Sequence, residues 1–223
     1  MRWMRCAACR HTFTDGYWTK EALQQIFAAA NPNQLPGHDP HGSRSVSARM
    51  VEKVLRHTEP DGLWLDVGFG NGALLGTAQE YGFSVVGLDL RRQAVELMRL
   101  DGMEAHVLEF EQFKPSNALS VISMADVLEH MPYPVPAIKH AYRLLKPDGL
   151  LFLSMPNDEC HAWRMLDRMH ANPYWGELEH YHNFGRQRLF KLLEQHGFEP
   201  QSYGISERYY LCMEVIARKK EAL

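Results

Sequence analysis

Three groups of residues in this 223-residue chain have types and spacings that can do chemistry. Glu129 and His130 stand side by side just past an apolar run. An imidazole there can act as a general base, because its ordinary pKa lies near the working range. The second group is Asp66-Val67-Gly68-Phe69-Gly70-Asn71-Gly72. Glycines at such a turn let the backbone take positive φ and let a ligand approach without a Cβ in the way. The carboxylate ahead of them would repel a phosphate but can hold a cation or an amine. Asp89, at the end of the next apolar run, can accept hydrogen bonds from the two hydroxyls of a ribose. The third group is Cys6-Ala7-Ala8-Cys9, half of a tetrahedral zinc site, for which His11 can offer a third ligand.

The elements that must position these groups follow from periodicity and breakers. Residues 63–67 form a short apolar run fit for a buried strand, 73–78 read as a helix, and 83–88 read as a second strand ending at Asp89. This strand, glycine turn, helix, strand, acid order is not the dinucleotide fingerprint, which needs G-x-G-x-x-G. Upstream, 20–30 reads as a helix ended by Asn31-Pro32-Asn33. Residues 34–45 are rich in Pro, Gly and His and read as a loop that can serve as a lid. Residues 46–57 carry apolar residues at helical spacing. Downstream, the expected order is helix 91–100, strand 104–110, strand 118–124, helix 135–145, a tight turn at 146–149 and strand 150–155. Helices at 160–170 and 186–196 follow, the latter closed by Gly197, and strands 198–206 and 209–218 are close enough to pair antiparallel. Between those two helices, 172–184 is rich in aromatic residues and histidine, including His180 and His182.

The glycine segment, the run Ala125-Asp126-Val127-Leu128-Glu129-His130 and the stretch from Leu144 to Asn157 together resemble class I S-adenosylmethionine-dependent methyltransferases. The resemblance covers roughly residues 63–157. It implies an α/β fold with a Rossmann-like, seven-stranded, mostly parallel sheet, an antiparallel last strand and helices on both faces. A small N-terminal helical extension precedes it, which divides the chain into an extension at 1–45, with a lid loop, and a catalytic domain at 46–223. It further implies that Asp66, Gly68, Gly70, Asn71 and Gly72 cradle the methionine part of the cofactor. Asp89 and Leu90 would lie at the ribose, Glu109 and Phe110 around the adenine, and Met124 beside the cofactor. Arg44 or Arg49 can pair with its carboxylate. His130, Glu129 and His180 are the expected catalytic residues, with Trp163, Tyr174 and Trp175 as a candidate acceptor wall.

The D-x-x-E-H of Asp126, Glu129 and His130 is similar to the E-x-x-E-H of ubiquinone-biosynthesis O-methyltransferases and of small-RNA 2′-O-methyltransferases, in which it binds a divalent metal. Oxygen and imidazole ligands suit magnesium, manganese or zinc. Asp126 is shorter than Glu by one methylene, and the preferred reading is His130 as base or orienter without metal. The segment at Cys6 and Cys9 is similar to the second knuckle of the zinc ribbon that precedes some sugar methyltransferases. The first knuckle is missing, for which a shortened start, a remnant without metal and zinc shared between two chains are the explanations, beside the plain reading of a local turn with two free thiols; a homodimer is a candidate assembly.

The formal net charge of −3 gives no global basic field, which argues against a nucleic-acid partner and for a small-molecule acceptor. No apolar run approaches a membrane span and no secretory leader is seen, so the cytoplasm is the expected compartment. The expected activity is methyl transfer to a small molecule, with oxygen the favoured acceptor and a sugar or secondary metabolite the favoured class. RNA 2′-O-methylation and a non-catalytic cofactor-binding module are the alternatives.

Overall fold

The computed structural model describes residues 1–28 and 34–221. Its strands are β1 (Trp3–Arg5), β2 (Thr12–Thr14), β3 (Leu63–Val67), β4 (Ser84–Leu88), β5 (Ala105–His106), β6 (Leu119–Ala125), β7 (Leu145–Pro156), β8 (His182–Asn183), β9 (Phe198–Ile205) and β10 (Cys212–Lys219). Its α-helices are α1 (Lys20–Ala28), α2 (Pro40–Leu55), α3 (Ala73–Glu80), α4 (Arg92–Leu100), α5 (Pro134–Leu144), α6 (His161–Arg168) and α7 (Arg186–Gln195). Seven strands make one sheet in the order β5-β4-β3-β6-β7-β10-β9, with β10 antiparallel to both neighbours and the remaining pairs parallel.

Parallel strands covered on both faces must be apolar on both, which is why these segments read as continuous runs. Side-chain alternation sorts them into two cores. Trp64, Val121, Phe152 and Ile216 pack with Met50 and Val54 of α2, Leu74 of α3 and Val95 of α4. Leu65, Ile122, Leu153 and Val215 pack on the other face with Ile138 of α5 and Leu189 and Leu193 of α7.

Four features depart from the sequence reading. Helix α2 begins at Pro40 rather than 46, because the Asp39 side chain accepts from the Gly42 N–H at 3.1 Å and proline suits the first turn. The expected loop is shortened accordingly. The third strand, expected over 104–110, is only β5; the chain then turns so that Phe110 and Phe113 enter the core. The turn at 146–149 is a bulge within β7: Leu145 faces Leu119, Leu150 faces Val121, and Asp148 takes φ 59° between them. Finally, the N-terminal extension holds a hairpin as well as α1. Strands β1 and β2 join β8 in a second, three-stranded sheet. Asn31 to Asn33, expected to end the first helix, lie outside the described residues.

Candidate functional site

The loop after β3 and the acid after β4 meet at the carboxyl edge of the sheet, where open α/β sheets bind ligands. The N–H groups of Gly68 and Phe69 donate to the Leu88 carbonyl (2.7 and 3.2 Å), tying the loop to the end of β4. Gly68, Gly70 and Gly72 have φ of 65°, 60° and 75°, a left-handed run that only glycine adopts cheaply. Gly72 is the N-cap of α3, and just ahead of it the Asn71 side chain accepts from the Ala73 N–H at 3.1 Å, which fixes the turn into that helix. Asp66 is 1 % exposed. Its Oδ1 accepts from Ser123 (2.6 Å), whose own hydroxyl accepts from the Trp64 indole (2.7 Å), while Oδ2 has no partner among the described residues. Burial pushes this carboxyl up to about 6, against the pull of the Ser123 bond and of Arg208.

Asp89 accepts from the Gly70 N–H (3.2 Å) and from both the backbone and the guanidinium of Arg91 (2.8 to 2.9 Å). Leu90, next to it, is 56 % exposed and free to cover a ligand ring. Glu109 is half-exposed and paired with Lys20 of α1 at 2.8 Å. Phe110 turns away into the core against His140 (ring centroids 4.9 Å apart), and Met124 is wholly buried, so neither side chain offers surface to a ligand. Arg44 and Arg49, the expected carboxylate partners, are committed to Glu80 (2.5 Å) and Glu207 (2.8 Å).

The second half of the site lies past β6. The turn after Asp126 brings Glu129 and His130 against His180, and one ligand atom from each of the three lies within 4.8 Å of the others. His130 Nδ1 is 3.0 Å from the Glu179 carbonyl oxygen. A carbonyl only accepts, so Nδ1 carries the proton and Nε2 carries the lone pair. Burial lowers the His130 pKa and holds His180 down to about 3, so both rings are neutral at pH 7. Glu129 is 1 % exposed, and neither of its oxygens, nor His180 Nδ1, has a hydrogen-bond partner among the described residues. Burial, then the neighbouring Asp126, pushes its pKa well up. A buried carboxylate in that state either keeps its proton or faces a cation. An oxygen donor with two neutral imidazoles fits a divalent ion. Asp126 stands apart from this group. At φ 60° it directs its carboxylate to Ser154 (3.1 Å) and Arg208 (3.5 Å).

The three aromatic residues expected to wall the acceptor pack together, from buried Trp163 through half-buried Tyr174 to exposed Trp175. Trp163 is buried and packs against Tyr174 and Trp175, with centroids 5.2 and 5.4 Å apart. Cys6 and Cys9 form a tight turn in which the Cys9 N–H points at Cys6 Sγ (3.5 Å), and backbone donors lower the Cys6 pKa. His11 does not join them; it faces His182 at 3.0 Å. Sequence reasoning missed Ser123, Arg91, Arg208, the Glu179 carbonyl and Phe27, whose ring lies 6.0 Å from that of His130. Ser123, one of two serines inside the otherwise apolar run of β6, was the one available signal.

A family model described as a methyltransferase domain matches residues 41–203. The ubiquinone biosynthesis O-methyltransferase of Xanthomonas oryzae pv. oryzae is 35 % identical over 149 residues, 63 % of this chain and 56 % of that protein. The protein of the same name from Xylella fastidiosa is 30 % identical over 164 residues, 69 % of this chain and 59 % of that one. The matches thus span somewhat over half the length of these relatives. Among solved structures, the 1,6-didemethyltoxoflavin-N1-methyltransferase of Burkholderia thailandensis with bound S-adenosylhomocysteine aligns over 99 % of this chain and 100 % of that one at TM-score 0.66 and 16 % identity. The magnesium protoporphyrin IX methyltransferase of Synechocystis aligns over 90 % of this chain and 94 % of its own at TM-score 0.65 and 17 % identity. At these identities the likeness is one of fold. No helix among the described residues is long and apolar enough to cross a membrane.

Proposed function

The chain belongs to the class I S-adenosylmethionine-dependent methyltransferases, and from that premise we propose that it moves the cofactor's methyl group to a hydroxyl oxygen of a small molecule. The observation that carries this reading is the glycine loop and Asp89 opening onto the same edge as Glu129, His130 and His180. The relatives named as O-methyltransferases support oxygen as the acceptor. Asp66 takes the cofactor's ammonium, the open face of Gly70 its methionine stem, Asp89 its ribose in exchange for Arg91, and Glu109 its adenine in exchange for Lys20.

Transfer is an in-line displacement at an activated sulfonium, so the protein's task is to place the acceptor and remove its proton. His130 Nε2 takes the hydroxyl proton as the oxygen bonds to the methyl carbon. The carbon–sulfur bond breaks and its electron pair stays on sulfur, giving neutral adenosylhomocysteine. The Glu179 carbonyl fixes the productive tautomer. His180, edge-on to His130 at 4.7 Å between centroids, walls the acceptor side.

A second reading rests on the partnerless Glu129. A divalent ion held by Glu129, His130 and His180 would orient the acceptor and acidify its hydroxyl. The deciding experiment is transfer of labelled methyl from S-adenosylmethionine into a cell extract split by size, with and without nuclease, before and after chelation. Label in the small-molecule fraction supports the proposal; a nuclease-sensitive label overturns the acceptor class. Loss on chelation, restored by manganese or magnesium, selects the second reading. His130→Gln lowers turnover by roughly a hundredfold while adenosylhomocysteine affinity stays near wild type.

A further inference from the structure

We propose that Arg208 holds the α-carboxylate of the cofactor's methionine end. The inference rests on the cofactor reading above and supplies a carboxylate partner where Arg44 and Arg49 are paired with Glu80 and Glu207. Arg208 sits in the turn between β9 and β10. Its backbone N–H donates to Ser206 Oγ (3.1 Å), and its neighbour Glu207 is pinned by Arg49 (2.8 Å) and Lys53 (2.6 Å) of α2. The side chain is therefore presented from a braced turn, and it is only 24 % exposed. Among the described residues its one charged contact is Asp126 Oδ2 at 3.5 Å, longer than the roughly 2.7–2.9 Å of a charge-assisted hydrogen bond. The guanidinium makes no hydrogen bond among the described residues, and Asp126 Oδ1 already accepts from Ser154 at 3.1 Å. The guanidinium is half-buried at the edge of the site, and a planar fork of five donors with no hydrogen-bonded acceptor there is free to take an anion.

A complementary group lies close by. Asp66 Oδ2 is buried with no hydrogen-bond partner among the described residues, and Asp66 and Asp126 stand at the ends of the adjacent strands β3 and β6. Arg208 is near enough to Asp66 to oppose the rise of its pKa. A carboxylate oxygen and a guanidinium, each without a hydrogen-bond partner among the described residues and both at this edge of the sheet, fit a zwitterion: the ammonium goes to Asp66 and the carboxylate to the planar fork of Arg208, which binds carboxylates in bidentate fashion. The competing role is that of a plain counter-ion for Asp126.

The test is calorimetric titration of the full chain with two ligands, adenosylhomocysteine and its decarboxylated analogue, which lacks only the carboxylate. Arg208→Met is expected to weaken adenosylhomocysteine roughly ten- to hundredfold and to leave the analogue within about twofold. Arg208→Lys, which keeps the charge and loses the fork, falls between wild type and Arg208→Met, and it carries the comparison if Arg208→Met does not fold. Equal weakening of both ligands would assign Arg208 to Asp126 alone, and unchanged adenosylhomocysteine affinity would exclude the contact; either overturns the proposal. Wild type binding neither ligand is a separate result, which removes the cofactor reading itself and this assignment with it.

Discussion

A Cβ added to Gly68 would meet Val127 Cγ2 at 2.7 Å, and one added to Gly72 would run into Met98, whereas one added to Gly70 finds nothing nearer than the Gly68 carbonyl oxygen at 3.9 Å. Two of the loop's glycines thus serve packing, and one keeps space open. Gly70→Ala is expected to cost only the left-handed strain, about 1–2 kcal/mol, yet to weaken adenosylhomocysteine at least tenfold; Gly68→Ala is expected to lose more stability than that. Thermal melts beside titrations separate the two. Asp66 gives a pH signature. Its folded pKa of about 6 lies above the ordinary 3.8, so the folded chain holds the proton more tightly than the unfolded one. The stability this contributes is present in full below pH 3.8 and is lost as pH rises through about 6, a swing on the order of 3 kcal/mol. Asp66→Asn should lack this loss, so its stability relative to wild type should rise from pH 4 to 7 in urea melts. Wild-type affinity for adenosylhomocysteine should rise over the same interval as the carboxylate ionises, and the Asn variant should stay flat. The glycines, Asp66, Asp89, Glu129 and His130 were legible because each lies in a contiguous motif. Ser123 and Arg208 were not, because Ser123 reaches Asp66 from the neighbouring strand β6 and Arg208 reaches Asp126 from the turn between β9 and β10, and only the assembled sheet brings them there.

Elements of the central sheet were legible for a physical reason: strands covered on both faces must be unbroken apolar runs, and glycines punctuate them. Boundaries set by side-chain caps were less so, as the start of α2 at Asp39 and Pro40 shows. Strand β8 gave no signal, because two residues of His-Asn become a strand only through pairing with Thr12 and Phe13, far away in the chain. Ion pairs between elements were also hidden. Lys53 of α2 bridges Glu207 and Glu214 at 2.6 Å each, fastening the helix to the β9–β10 hairpin, and Glu214 is 3 % exposed within β10. Lys53→Met leaves that carboxylate buried without its cation and is expected to destabilise the chain by about 3–4 kcal/mol. The double variant Lys53→Met/Glu214→Met should recover most of the loss, because it removes both charges from a site that is already packed. Urea denaturation of the two variants reads the difference directly; equal losses would show that Lys53 acts through Glu207 instead.

At the scale of the whole molecule, the N-terminal segment and the stretch before α7 are bonded into one cover, which the proposed function puts over the acceptor. Thr12 donates to Asp158 (2.9 Å), the Trp3 indole to the Trp175 carbonyl (3.1 Å) and the Trp18 indole to the Leu178 carbonyl (2.7 Å), while the Trp18 N–H reaches the Tyr181 hydroxyl (3.2 Å). These bonds hold the segment that carries His180 and the Glu179 carbonyl, and so the tautomer of His130. By contrast, the hairpin of β1 and β2 makes no hydrogen bond or ion pair with the glycine loop or Asp89 among the described residues. The two halves of the reaction should therefore separate on truncation. A chain starting at Thr19 keeps α1 and the whole seven-stranded sheet, and its adenosylhomocysteine affinity is expected to stay within about threefold of wild type. Its methyl transfer is expected to fall by roughly a hundredfold, the scale of loss when reacting groups are misplaced by about 1 Å. Titration and labelled transfer on one preparation measure both. Parallel loss of binding and transfer would show instead that the cover stabilises the cofactor edge itself, and the division of labour between the two sheets would have to be abandoned.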